Sequence, residues 1–278
     1  MKVLIFGAKG QLGREFCKYF DLRDVQYFSY DIDDCDISNY QLTQSKFDIH
    51  KPDIVINCSA YNLVDKAETD TINAYYSNSI GPTHLAFLSN QFNCKLVHYG
   101  TDYVFDGKKG DFYSEEDEPN PLNIYGASKL MGENQVKQIL SNYLVLRLSW
   151  VYGIGSPNTF LSKLKQWSQN TNTLRIVDDE ISVPTSVRTI VDVTMEAINE
   201  NLNGTYHLTN GGKASRWEWA NALNELANLN LNIIKAKSSE FSLPAKRPLF
   251  SAMSNQRISK ELKINIPEWN EELTNFYK

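Results

Sequence analysis

Apolar residues in the first half of the chain come in short, nearly continuous runs. Lys2–Phe6, Val25–Tyr30, Asp53–Asn57, Lys95–Tyr99 and Tyr143–Ser149 each carry one. A strand with one wet face would alternate apolar and polar residues, so these runs predict parallel strands covered on both faces. Between them, Gln11–Phe20, Ser38–Lys46, Thr69–Gln91 and Ile124–Leu140 have helix-compatible patterns. Strands and helices alternating at this rhythm predict βαβ units and an α/β, doubly wound parallel sheet.

Past Trp150 the rhythm loosens. Thr173–Thr185 reads as a strand running into a loop, Ser186–Asn199 as a helix, Gly204–Leu208 as a strand and Ser215–Leu229 as a helix. Ser238–Ile258 is irregular and punctuated by proline, in the manner of a binding loop. The expected division is a doubly wound domain over 1–150, rejoined by about 174–210, and a smaller, mainly substrate-binding C-terminal domain over 151–278.

Composition mostly excludes. A chain of 278 residues can hold one large α/β domain with an appendage. Its net charge of -5 argues against a nucleic-acid partner, which needs a basic face to meet phosphates. No apolar run approaches the roughly 18 residues that cross a bilayer, so no membrane partner is expected. Gly7 and Lys9 interrupt the apolar run at the N-terminus, and no small-residue cleavage site follows, so a signal peptide is not expected either. Cys17, Cys35, Cys58 and Cys94 form no CxxC pair and are expected as buried, reduced thiols of a cytoplasmic protein. His50, His84, His98 and His207 lack ligand spacing, and the acidic run Glu115–Glu118 reads as a solvated loop, so no metal site is expected.

The candidate chemistry begins at Gly7, Gly10 and Gly13, directly after the first strand and at a helix start. Glycine there lets the chain turn tightly and bring backbone N–H groups to a pyrophosphate, which the helix N-terminus also attracts. That strand–turn–helix context predicts a Rossmann-type dinucleotide site. Asp31, about twenty residues on, ends the second strand, where a carboxylate accepts from an adenosine ribose and repels a 2′-phosphate. Asp33, Asp34 and Asp36 crowd nearby as ribose-side candidates or plain loop charge, and Asp36 with Ile37 suits the adenine side.

Thr101 follows the fourth strand, whose carboxyl end faces the ligand crevice of such a sheet. Tyr125 and Lys129 lie one turn apart at the start of the next helix. A carbonyl that receives hydride needs a proton for its oxygen. Tyrosine, with a reference pKa of about 10, supplies one more readily beside a cation that stabilises the phenolate. Lys129 would be that cation and would also reach the nicotinamide ribose, while Thr101 would orient the carbonyl. Thr101, Tyr125 and Lys129 are therefore the candidate catalytic residues.

These motifs together resemble the extended short-chain dehydrogenase/reductases, and most closely the dTDP-4-dehydrorhamnose reductase family. The resemblance covers nearly the whole chain. It runs through "GAKGQLG", "PDIVINCSAYNLVDKAE", "VHYGTDYVFDG", "PLNIYGASKLMGE", "RLSWVYG", "VDDEISVPT" and "PAKRPLFSAM". It implies NADPH or NADH as cofactor and reduction of a dTDP-4-keto-6-deoxy-L-hexose. Gly10, Gln11 and Leu12 would contact the cofactor phosphates. Asp31, Asp36, Ile37, Ala60, Tyr61, Asn62 and Tyr99 would line the rest of the site, with Tyr125 and Lys129. Thr101, Asp102 and Trp150 would touch the sugar nucleotide, with Val64 and Tyr103 close by; the alternative for Trp150 is a core aromatic. Arg247, in a loop stiffened by Pro244 and Pro248, is the candidate for the substrate diphosphate, or else a surface residue. A homodimer is a further expectation. Gly100, Ser59 and Ser182 depart from the family's usual Ser, Ala and Gly, which leaves the exact hexose open. A related NDP-sugar reductase or epimerase is the enzymatic alternative; dehydratases carry an acidic residue where Tyr103 stands. A non-catalytic Rossmann regulatory subunit is the alternative from another class.

Overall fold

The computed structural model describes residues 1–153 and 159–277. Strands β1 (Val3–Phe6), β2 (Tyr27–Tyr30), β3 (Ile54–Asn57), β4 (Lys95–Thr101) and β5 (Tyr143–Leu148) form one parallel sheet with Gly204–His207. The order across the sheet is Gly204–His207, β5, β4, β3, β1, β2. Every residue of β1, β3 and β4 is buried, as their unbroken apolar runs demand. Alternate residues serve opposite faces. Val3, Ile5, Ile54 and Ile56 pack with Phe16 and Phe20 on one side, and Leu4, Phe6 and Val55 with Phe47, Leu85 and Leu88 on the other.

The single helix expected over Thr69–Gln91 is interrupted. Val64–Ala67 and Thr71–Tyr75 are short helices, Tyr76–Ile80 is a π turn, and Gly81–Phe92 completes the stretch. Pro82, with no N–H and a ring that crowds the preceding turn, stands at the start of the last segment. The π turn aims Asn78 inward. Its Oδ1 accepts from Tyr61 N at 2.8 Å, and its Nδ2 donates to Tyr61 O and to Ser128 Oγ at 3.1 and 3.0 Å. One buried amide thus ties the loop after β3 to the helix Ile124–Ile139, which carries Tyr125 and Lys129.

The return to the sheet is narrower than 174–210. Thr173–Val177 pairs with Asn232–Ala236 in a separate two-stranded sheet. It buries too little of either face to sit inside the main one. The helix Val187–Asn199 and the strand Gly204–His207 make the return, with Val187, Ile190 and Val191 packed in the same core as Phe16 and Phe20. Helices Phe160–Ser168, Arg216–Leu226, Gln256–Leu262 and Trp269–Tyr277 complete the C-terminal part. The irregular segment after Phe241 folds back over the sheet's carboxyl edge, where Leu249 O accepts from Ile181 N at 2.8 Å and Ala252 O from Tyr113 N at 2.9 Å. Among the described residues no helix is long and apolar enough to cross a membrane. All four cysteines are free, but Cys17 and Cys58 are only partly buried, against the expectation for the set.

One ion pair is sealed inside. Glu133 is fully buried, and its Oε2 accepts from Arg147 Nε and Nη2, each at 3.0 Å. Arg147 also faces His207, whose Nδ1 lies 3.1 Å from the Tyr113 carbonyl. Since a carbonyl only accepts, that nitrogen carries the proton and Nε2 is left to accept from Arg147. Burial, with Arg147 beside it, lowers the His207 pKa to about 3, so the ring is neutral. This pair explains Gly100, since a Cβ there would collide with Glu133 Oε1.

Candidate active site

The carboxyl ends of β1, β3, β4 and β5 open onto a cavity of about 310 Å³. A second hollow of about 220 Å³ lies at the ends of β1 and β2. Both are walled by Gly10, Cys58, Ser59, Ala60 and Asn62, so they form one groove. Gly7 shapes its floor. With φ at +79°, it comes so close to the loop after β3 that a Cβ would stand 2.6 Å from Cys58 C. Gly13 lines neither hollow; a Cβ there would strike the Gly7 carbonyl, so it is needed for the close packing of helix on loop. Gly10 caps the helix Gln11–Asp21 without a side chain, and Gln11 and Leu12 follow it along the cavity wall. Gln11 Oε1 is buried with no hydrogen-bond partner among the described residues. A glycine cradle, an uncapped helix N-terminus and an orphaned acceptor suit a dinucleotide diphosphate and its ribose.

Asp31, Asp36 and Ile37 line the second hollow. Asp31 also holds the glycine loop, because its Oδ2 accepts from Lys9 N at 2.6 Å. The Lys9 ammonium is itself held by Asp33 at 2.8 Å. Tyr61 departs from the expectation. Its hydroxyl donates to Asp70 at 2.9 Å, and it lines neither hollow, packing instead against the cluster of Ala67, Ala74, Tyr103 and Tyr125.

Thr101, Tyr125 and Lys129 meet in the larger cavity, with Tyr99 and Asn62. Asn123 starts their helix: its Oδ1 accepts from Gly126 N at 2.8 Å, while its Nδ2 donates to the Lys246 carbonyl at 2.8 Å. The Tyr125 hydroxyl donates to Asn62 Oδ1 at 3.4 Å and faces Thr101. Lys129 Nζ donates to the Tyr99 carbonyl at 2.5 Å. Burial pushes the Tyr125 pKa up, against the hydrogen bond with Thr101. Burial lowers the Lys129 pKa to about 8, against the pull of Glu133 one turn along the helix. Burial therefore dominates the Tyr125 pKa in this arrangement, and Lys129 is not among the groups that shift it.

Val64, Asp102, Tyr103 and Trp150 also line this cavity. Tyr103 meets the Tyr125 ring edge to face at 5.7 Å. Asp102 serves its own chain as well: its Oδ2 accepts from Ser182 and Ser251 at 2.8 and 2.5 Å, and its Oδ1 from Thr101 at 3.3 Å. The departure at Ser182 thus supplies a clamp between β4 and the C-terminal part. Trp150, with φ at +38°, is partly buried and stacks on Trp219 at 5.6 Å, combining the cavity-wall and core-aromatic readings.

Arg247 is neither in the cavity wall nor a simple surface residue. It forks onto Asp65 at 3.0 and 2.7 Å, and Asp65 also accepts from Ala245 N, so the residue latches its loop to Val64–Ala67. The cavity's second cation is Arg216, which the sequence reading missed. It begins a helix of ordinary pattern, and only the chain's return brings it to the site.

A family model described as the RmlD substrate binding domain matches residues 1–278. The chain belongs to this family. It is 32% identical over 275 residues to the spore coat polysaccharide biosynthesis protein SpsK of Bacillus subtilis, covering 99% of this chain and 96% of that one. A crystal structure of a dTDP-4-dehydrorhamnose reductase from Clostridium acetobutylicum superposes with a TM-score of 0.95 at 36% identity, covering 99% of this chain and 98% of that one. The Bacillus anthracis dTDP-4-dehydrorhamnose reductase, solved in complex with NADP, gives a TM-score of 0.95 at 34% identity over the same shares. These relatives match the chain from end to end, so both the sheet and its C-terminal part belong to the family fold.

Proposed function

We propose that the chain catalyses the NAD(P)H-dependent reduction of the 4-keto group of dTDP-4-dehydro-L-rhamnose, yielding dTDP-L-rhamnose. The observation that carries this reading is the meeting of Thr101, Tyr125 and Lys129 in one cavity continuous with the glycine-floored groove. The relatives named dTDP-4-dehydrorhamnose reductase support the choice of substrate. The dihydronicotinamide, when bound, supplies the hydride that goes to C4. Tyr125 gives its hydroxyl proton to the former carbonyl oxygen, so ketone, hydride and proton balance as an alcohol. Thr101 donates to that oxygen and fixes its position. Lys129, held by the Tyr99 carbonyl, puts a positive charge in the cavity wall it shares with Thr101 and Tyr125. Residues 1–150 with the return at 187–207 would hold the cofactor, and the remainder the sugar nucleotide.

The test is incubation with dTDP-4-dehydro-L-rhamnose and NADPH or NADH, with the product read by NMR. The expected product has the L-rhamno configuration; an unconsumed cofactor, or the opposite configuration at C4, overturns the reading. The pH profile follows from Lys129. Its charge is lost as pH rises through about 8, so kcat is expected to fall above that point. A profile flat to pH 10 would separate Lys129's charge from the rate.

Cofactor choice is expected to depend on Asp31. Asp31→Asn removes the charge facing a 2′-phosphate but keeps an oxygen to accept from Lys9 N. The ratio of kcat/KM for NADPH to that for NADH should rise roughly tenfold, the size of about 1.4 kcal/mol of relieved repulsion. An unchanged ratio places the ribose away from Asp31.

A further inference from the structure

Among the described residues, Lys129 and Arg216 are the cationic side chains in the wall of the larger cavity. Lys129 is committed to the Tyr99 carbonyl. Among the described residues, Arg216 has no comparable partner. The carboxylate paired with it belongs to Glu180, whose Oε2 stands 4.0 Å from Nε, beyond hydrogen-bond reach. Instead, the guanidinium carbon sits 3.7 Å from the centroid of the Trp150 ring, with Trp219 at 5.6 Å and Phe160 at 5.5 Å. Stacking uses the face of a guanidinium and leaves the in-plane N–H groups free to donate.

The position is held firmly. Ser215 caps the helix Arg216–Leu226 with a reciprocal pair to Glu218, at 3.1 and 2.7 Å, and Arg216 N donates to Glu180 O at 3.1 Å. Asp102, the other carboxylate near Arg216, already accepts from three hydroxyls of its own chain. Arg247 is the competing cation, but its guanidinium is engaged by Asp65 and the Ala245 carbonyl, and it stands outside the cavity wall.

We propose that Arg216, stacked on Trp150, grips the diphosphate of the nucleotide-sugar substrate and so makes the enzyme select diphosphate-linked over uncharged sugars. This deepens the proposed function and rests on it. A planar fork suits two neighbouring phosphate oxygens better than a point charge does. Ground-state binding by this contact acts on KM and leaves the proton transfer at Tyr125 untouched.

The experiment titrates the NADP⁺-bound protein with dTDP and with thymidine by calorimetry. The parent is expected to bind dTDP more tightly than thymidine. Arg216→Met, which keeps a stem to pack on Trp150, should lose about ten- to a hundredfold of that preference while thymidine and NADP⁺ affinities stay constant. A parent-like ratio in Arg216→Met overturns the assignment. If that variant fails to hold NADP⁺, Arg216→Lys decides: an intermediate ratio supports the diphosphate contact, and an unchanged one overturns it. A parent that binds dTDP no better than thymidine removes the nucleotide-sugar reading itself, and the role of Arg216 with it.

Discussion

Tyr125→Phe is expected to lower kcat about 10²–10⁴-fold, the usual contribution of a positioned general acid. The change removes one oxygen and little else. The ring keeps its edge-to-face contact with Tyr103, and what is lost is the long 3.4 Å hydrogen bond to Asn62 and the hydrogen bond with Thr101. Fold and cofactor binding should survive, so a fluorescence titration with NADPH should give a Kd close to the parent's. The direction of catalysis matters here. A proton donor for ketone reduction must hold its proton until charge develops on the substrate oxygen, and burial keeps Tyr125 protonated at neutral pH. Turnover within a few-fold of the parent would mean that another group supplies the proton.

The largest effect on stability is expected at Arg147. Arg147→Met leaves Glu133 fully buried without the two hydrogen bonds that its Oε2 accepts. Glu133 Oε1 has no hydrogen-bond partner among the described residues, and its other ion-pair partner, Lys137, is 3.7 Å from Oε2. Breaking a buried pair from one side costs about 3–5 kcal/mol, a large share of the roughly 5–15 kcal/mol that holds a domain together. Urea denaturation should show the loss as a lower midpoint. Glu133→Gln in the same chain should recover part of it, since no unpaired charge then remains. A loss under about 1 kcal/mol would mean that water or Lys137 already compensates Glu133.

The parts of the molecule that could be read from the chain share a physical cause. β1, β3, β4 and β5 are buried on both faces, so their composition alone marks them, and the glycines after β1 have no substitute in so close a turn. Tyr125 and Lys129 sit one turn apart, a local relation that survives any fold. The misses depend on distant contacts. Asn232–Ala236 is largely exposed and carries no period-two signal, so only its pairing with Thr173–Val177 makes it a strand. Phe160–Ser168 buries just Leu161 and Leu164, too few positions to declare a helix. Arg247 suggested a ligand by its charge and its prolines, but Asp65 comes from 182 residues earlier in the chain. Arg216 gave no local signal because its surroundings, Trp150 and Glu180, are brought to it by folding.

The strand Gly204–His207 sets the order in which the chain can be completed as it is made. β5 pairs with β4 on one side and with Gly204–His207 on the other. Until that strand has left the ribosome, one margin of a parallel sheet stands open, with those backbone groups of Tyr143–Leu148 that face away from β4 unpaired. The helix Val187–Asn199, which covers Phe16 and Phe20, is also missing at that stage. A nascent chain halted after residue 150 would hold most of the glycine-floored groove yet expose both an edge and an apolar face, the features that bring chaperones or aggregation. The sheet-bearing N-terminal half therefore becomes a closed unit only when the chain has been made well into its other half.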